Sequence, residues 1–195
     1  MSLLQTLIEQ VKKPTGRMGV WMLRIMNRAH RGMYAWFIRQ GAVNDGTCVL
    51  DIGCGGGKML QILASLNPNG MIYGIDISEQ AVKESLKLNN NNKRIVVTQA
   101  SVSKMPYHEQ FFDTITAFQT HYFWPSLEQD VKEIGRVLKD GGKLIVMAET
   151  YKMKYHMEAF QTPAAMKQLL EHTGFQTVYI TEKTSKGWLC MTAIK

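Results

Sequence analysis

A chain of 195 residues with 45% hydrophobic content can bury one substantial core, and one main domain is the expectation. No apolar run approaches the ~20 residues that span a bilayer, and Glu9 among Leu3, Leu4, Leu7, Ile8 and Val11 suits a helix rather than a signal sequence, so a cytoplasmic protein without stable membrane insertion is expected. The formal charge is +7, and Lys12, Lys13, Arg17, Arg24, Arg28, Arg31 and Arg39 against Glu9 alone place +6 of it in the first 44 residues.

In this basic segment Met18, Met22, Ile25 and Ala29 recur at helical spacing, with Arg17, Arg24, Arg28 and Arg31 on another face. Arg17 to Gln40 therefore reads as one or two amphipathic helices. Residues 1–43 form a basic helical cap in this reading, and residues 44–195 form the core.

The core opens with Cys48-Val-Leu-Asp-Ile, an apolar strand that runs into Gly53, Gly55, Gly56 and Gly57 with Asp51 at the junction. Glycines there remove the side chains that keep a ligand off the backbone, and Lys58 to Ser65 then reads as a helix. A dinucleotide fingerprint needs glycine at the first, third and sixth positions; counted from Gly53 the sixth is Lys58, and from Gly55 it is Leu60. The second strand, Met71 to Asp76, ends in a carboxylate about 20 residues beyond the glycine turn, where it can accept hydrogen bonds from ribose hydroxyls. A helix follows over Ser78 to Leu88 and a strand over Ile95 to Thr98. The fourth strand is Phe112 to Phe118, and an amphipathic helix covers Leu127 to Leu138. A turn at Lys139 to Gly142 leads to the fifth strand, Lys143 to Ala148. Thr162-Pro163 starts a helix that reaches Thr173, and strands at Phe175 to Ile180 and Trp188 to Ile194 form an antiparallel edge. The alternation predicts an α/β fold, doubly wound and mostly parallel. Cys48, Cys54 and Cys190 show no metal-ligand spacing and read as reduced thiols, with no metal site expected.

The segment Asp51, Gly53, Gly55, Gly57 resembles the class I S-adenosylmethionine-dependent methyltransferases, a likeness that extends in order over about Asn44 to Lys195. It implies a Rossmann-like seven-stranded sheet and S-adenosylmethionine as cofactor, with S-adenosylhomocysteine as product. The glycine loop, with Asp51, Gly53, Cys54, Gly55 and Gly57, would wrap the amino-acid end of that cofactor. Asp76 would hold the ribose and Ile77 would lie against the adenine. Many relatives place an acidic residue after the third strand; here Ser101 offers a hydroxyl and Val102 a backbone N–H. Gln119, expected among the cofactor-binding residues, opens an aromatic loop, His121 to Trp124, at the carboxyl end of the sheet, where open α/β sheets bind ligands.

Methyl transfer from a sulfonium is an in-line displacement, so alignment and exclusion of water matter most. His121 is the candidate base, with Tyr122 as a second catalytic candidate and Glu149 as a weaker alternative. His121 could equally bond only to its own loop, and aromatic clusters commonly just pack. The basic helices are expected to act as a lid, with Asn27, His30, Tyr34 and Trp36, together with Trp124 of the aromatic loop, contacting the acceptor and with Met18, Met22, Met26 and Met33 as lining. A methionine stripe is also ordinary packing, and an arginine face is often merely solvated.

The expected partner is a small molecule, and the basic face admits an anionic one. No nucleic-acid partner is expected, since no target-base motif or RNA-binding module is visible, and the lid is favoured over a membrane anchor. The alternatives are a catalytically silent cofactor-binding module, a nicotinamide-dependent oxidoreductase disfavoured by the failed fingerprint, and an RNA methyltransferase. The sequence names neither the methylated atom nor the oligomeric state.

Overall fold

The computed structural model describes residues 3–41 and 43–195; the side chains of residues 3–7, and with them the expectation for Leu3, Leu4 and Leu7, lie outside that description. Three helices come first: α1 (Leu3–Lys12), α2 (Gly16–Ala29) and α3 (Arg31–Ile38). Strands and helices then alternate as β1 (Cys48–Ile52), α4 (Lys58–Leu66), β2 (Met71–Asp76), α5 (Glu79–Asn89), β3 (Ile95–Gln99), β4 (Phe112–Phe118), α6 (Leu127–Val137) and β5 (Leu138–Glu149). The chain closes with α7 (Thr150–His156), α8 (Pro163–His172), β6 (Thr177–Lys183) and β7 (Trp188–Ile194).

All seven strands join one sheet in the order β3-β2-β1-β4-β5-β7-β6. The first five are parallel, and β7 inserts antiparallel between β5 and β6. This is the Rossmann-like, doubly wound arrangement with an antiparallel edge. From β1 the chain winds outward to β2 and β3, whereas from β4 it winds the other way. The crevice at the carboxyl ends of β1 and β4 is therefore the topological switch point.

Alternation along the strands supplies a core on each face. Leu50 and Ile52 point to a cluster that includes Val131, Ile134 and Val137 of α6 and Met166, Leu169 and Leu170 of α8. Val49, Ile72, Ile145 and Met147 point the other way, to Met59, Leu60 and Leu63 of α4 and to Met33, Tyr34, Trp36 and Phe37 of α3. Met33 and Phe37 are each 1% exposed, so α3 is core structure. The apolar face of α3 packs on the sheet, whereas α1 and α2 lie over the carboxyl ends of the strands.

Local signals set two of the helix starts. Ser78 caps α5 by accepting from the Ala81 N–H at 3.1 Å, and Thr162 caps α8, with Pro163 in its first turn, by accepting from Ala165 at 3.2 Å. Two departures have tertiary causes. The turn at Lys139 to Gly142 is drawn into β5, because the Gly141 N–H donates to the Lys195 carbonyl and the Lys195 N–H donates to that of Gly142. The register there jumps from Phe112↔Leu138 to Thr114↔Lys143. Phe175 does not enter β6, since it is buried in the core beside α8 and its N–H donates to the Leu170 carbonyl. Helix α7 has no counterpart in the sequence reading.

Candidate functional site

The first cleft lies over the switch point. The N–H groups of Gly53 and Cys54 both donate to the Ile75 carbonyl, at 2.8 and 3.0 Å, which ties the glycine loop to the end of β2. Gly53, Gly55 and Gly57 all have positive φ, and a Cβ on Gly53 would stand 2.5 Å from Thr120 Oγ1. The Gly55 N–H donates to Asp76 Oδ2 at 2.9 Å, and the Ser78 N–H donates to Oδ1 at 2.9 Å. Each carboxylate oxygen keeps a free lone pair. Burial raises the Asp76 pKa, and the two N–H donors oppose that rise.

The cleft holds a cavity of about 110 Å³. Gly53, Gly55, Asp76 and Ile77 form one wall and Ala100, Ser101 and Val102 another, while Gln119, Thr120, Phe123 and Trp124 come from the loop after β4. Val11, Pro14, Leu23 and Met26 of the α1–α2 region close it. That cover is fastened where Ser78 Oγ donates to the Pro14 carbonyl. Asp51 sits below the loop. Its carboxylate accepts from Thr116 Oγ1 at 2.7 Å, and burial raises its pKa to about 7, with the Thr116 hydrogen bond opposing and Asp76 adding to the rise.

A second cavity, of about 440 Å³, adjoins the first. The two share Val11, Met26, Gln119 and Phe123. Ile8, Ile25, Ala29 and His30 form its helical wall, and Tyr122, Tyr151, Lys152, Tyr155 and His156 the opposite one. At the junction, Gln119 has a positive φ of 58°. Its Oε1 accepts from Tyr122 Oη and, at 3.3 Å, from Lys152 Nζ, while Lys152 also pairs with Glu149 at 2.7 Å. A side chain held this way presents a fixed dipole where the cavities meet.

The expected residues separate into groups. Gly53, Gly55, Asp76, Ile77, Ser101, Val102 and Gln119 line the first cleft. Asp51, Cys54 and Gly57 support it from behind: Cys54 is buried against Gly74, and the Gly57 N–H donates to the Cys54 carbonyl. His30 lines the second cavity, whereas Trp124 lines the first. Asn27 approaches Gly56, outside both, and Tyr34 packs against Phe118. Among the four methionines, Met26 alone reaches a cavity wall; Met22 and Met33 are buried and Met18 is exposed.

His121 does not occupy the place expected of a base. It is 1% exposed in a short 3₁₀ turn, lines neither cavity, and leaves both ring nitrogens without a hydrogen-bond partner. Burial pushes its pKa down to about 3, so it is neutral near pH 7. His30 faces the second cavity, and burial, then Lys152, lowers its pKa to about 4, with Glu149 opposing. The residues missed from sequence are those of α7. The repeated i, i+4 pairs Tyr151/Tyr155 and Lys152/His156 were the available signal, carried by a helix of only seven residues.

A family model described as a methyltransferase domain matches residues 50–146. An uncharacterized methyltransferase from Bacillus subtilis is 26% identical over 176 residues, covering 88% of this chain and 96% of the relative. A demethylmenaquinone methyltransferase from Lactobacillus johnsonii is 26% identical, covering 75% of each chain. Among solved structures, an S-adenosylmethionine-dependent methyltransferase from Aquifex aeolicus superposes with a TM-score of 0.70 at 20% identity, covering 83% of this chain and 88% of that one. Among the described residues no helix is long and apolar enough to cross a membrane.

Proposed function

The chain belongs to the class I S-adenosylmethionine-dependent methyltransferases, and on that premise we propose that it methylates a small molecule held in the second cavity. The carrying observation is the shared wall of Val11, Met26, Gln119 and Phe123 between a cleft built from the glycine loop and a separate, largely apolar cavity. The Lactobacillus johnsonii relative is named for demethylmenaquinone, a small molecule, which supports the same class of acceptor.

The first cleft suits the cofactor. Asp76 presents a buried carboxylate with free lone pairs for the ribose hydroxyls, Ile77 and Val102 offer apolar flanks for the adenine, and Ser101 offers a hydroxyl. Gly53 and Gly55 leave room for the amino-acid end, with Asp51 beneath them as a buried carboxylate. When bound, S-adenosylmethionine supplies the electrophilic methyl group on sulfur.

The protein's own part is alignment and shielding. Helices α1 and α2 act as a lid, placing Leu23 and Met26 against the cleft and Ile25 and Ala29 against the acceptor cavity. Gln119, fixed by Tyr122 and Lys152, orients the acceptor at the junction. Holding donor and acceptor in line, away from water, provides most of the acceleration such a transfer needs. His30 faces the acceptor cavity and is neutral there, which places a proton acceptor, weakened by its lowered pKa, where His121 was expected to serve an acceptor that must lose a proton. With no long apolar helix among the described residues, a cytoplasmic location completes the reading.

Calorimetry with S-adenosylmethionine, S-adenosylhomocysteine and NAD, followed by turnover on a mixed metabolite extract, tests the proposal. Binding of the first two without NAD, and transfer of labelled methyl to a low-molecular-mass product, is the expected result. Cofactor binding with no transfer to any acceptor would leave a silent binding module instead.

A further inference from the structure

The same helix that walls the acceptor cavity carries an outward face of unusual composition. On a wheel of about 100° per residue, Arg17, Met18, Arg24, Ile25 and Arg28 all fall within roughly 60° of Trp21. Trp21 is 59% exposed, Met18 45% and Ile25 41%, and the arginines are exposed as well. Helix α2 contains no acidic residue, and among the described residues no ion pair engages these arginines. The face is also divided: the arginines lie to one side of Trp21, and Met18 and Ile25 lie to the other.

The apolar side turns toward the acceptor cavity, since Ile25 belongs both to the cavity wall and to the surface groove of Trp21, Arg24, Arg28 and Arg31. Across the cavity, Tyr151 and Tyr155 of α7 are 61% and 66% exposed. An apolar cavity thus has aromatic and aliphatic side chains at its rim, with a bank of unpaired cations beside it. Nucleic acid would use the cations and could stack on Trp21, but it gains nothing from Met18 and Ile25 or from an apolar chamber behind them. The headgroup region of an anionic bilayer uses all of them: arginines meet phosphates, and Trp, Tyr, Met and Ile enter the boundary below.

We propose that the outer face of α2, together with the tyrosines of α7, docks peripherally on an anionic lipid surface, so that the acceptor cavity opens toward the lipid and admits a lipophilic acceptor from it. This departs from the expectation that the basic segment serves as a lid in place of a membrane contact: its inner face covers the cleft, and its outer face remains available. The docking rests on the surface alone, and only its purpose rests on the acceptor reading of the cavity.

The test is sedimentation of the full chain with vesicles of phosphatidylcholine alone and with vesicles of equimolar phosphatidylcholine and phosphatidylglycerol. Binding to the mixed vesicles only, weakened by salt, is expected. The double variant Arg24→Glu/Arg28→Glu and the single variant Trp21→Ser should each lower partitioning at least about tenfold. Calorimetric affinity for S-adenosylhomocysteine should stay unchanged in both, which separates lost docking from lost folding; Met18→Ser, exposed and outside both cavities, is the substitute if Trp21→Ser fails that control. Equal binding to neutral vesicles, no binding to either, or binding indifferent to the apolar substitutions would overturn the proposal. So would displacement from the vesicles by polyuridylic acid, which would assign the face to nucleic acid. No outcome depends on turnover, so the docking can fail while the methyltransferase reading stands.

Discussion

The two halves of the site are built in different ways. On the cofactor side, residues 48 to 76 run without interruption through β1, the glycine loop, α4 and β2, and the contacts that shape the cleft are largely backbone: Gly53 and Cys54 to the Ile75 carbonyl, Gly55 to the Asp76 carboxylate. On the acceptor side, the wall is made of side chains from α1, α2, the turn after β4 and α7, segments spread from residue 8 to residue 156 of the chain. A backbone cradle tolerates little change, because its donors and its positive φ angles belong to the fold itself. A side-chain wall can be altered one residue at a time without disturbing the sheet. Within one family, such a division lets the cofactor grip stay constant while the acceptor differs.

Substitutions sharpen the contrast. The largest effect belongs to Gly55→Val, which places a β-branched side chain at φ +52° on the cleft wall, with Leu23 3.5 Å from its Cβ. Calorimetry with S-adenosylhomocysteine should detect no binding, while the far-ultraviolet dichroism remains that of an α/β fold; retained binding would mean that the loop is not the cradle. Asp76→Ala comes next. Two hydrogen bonds to a charged acceptor at roughly 1.5 to 3 kcal/mol each weaken cofactor binding by a factor of about a hundred or more. Unchanged affinity would remove the ribose assignment.

Acceptor-side changes should spare the cofactor. His30→Ala is expected to lower kcat by about a hundredfold for an acceptor that must lose a proton, with S-adenosylhomocysteine affinity nearly constant. His121→Leu should leave kcat within a few fold, because that ring lines neither cavity. The reverse pattern, measured on the acceptor returned by a metabolite screen, would restore His121 as the base.

Stability shows a contrast too, and here two buried groups have opposite signs. Burial raises the Asp51 pKa from 3.8 to about 7, so the folded state holds that proton more tightly than the unfolded chain does. Its contribution to stability therefore declines as pH rises from about 4 toward 7. For His121, lowered from 6.5 to about 3, the unfolded chain binds the proton more tightly, and stability declines as pH falls through that window. Each acts with a limiting slope of about 1.4 kcal/mol per pH unit. Chemical denaturation between pH 4 and 7 should show Asp51→Asn removing the first dependence and His121→Leu the second. Parallel changes in the two variants would show that the burial of one of these groups has been misassigned.

The cofactor side was legible in the sequence for the same reason that it is rigid. Asp51, Gly53, Gly55, Gly57 and Asp76 carry local signals, since a left-handed turn selects glycine and a strand end presents its terminal carboxylate to the crevice. The seven strands and their antiparallel edge were likewise readable from alternation and turn residues, although Gly141 and Lys195 show how a paired neighbour redraws a strand boundary.

Sequence alone marked the fold class and the glycine loop, because those follow from backbone preferences over a few consecutive positions, and the cofactor followed from the family resemblance of Asp51, Gly53, Gly55 and Gly57. It also marked the basic N-terminal segment as distinct. Only the tertiary structure decided how that segment divides: α3 enters the core through Met33 and Phe37, and α2 turns Leu23 inward and Trp21 outward. It likewise decided that His30 faces the second cavity while His121 is buried, and that α7 supplies the far wall of that cavity. Helical periodicity says which residues share a face but not what the face meets, and a histidine's chemistry depends on neighbours that chain spacing does not specify.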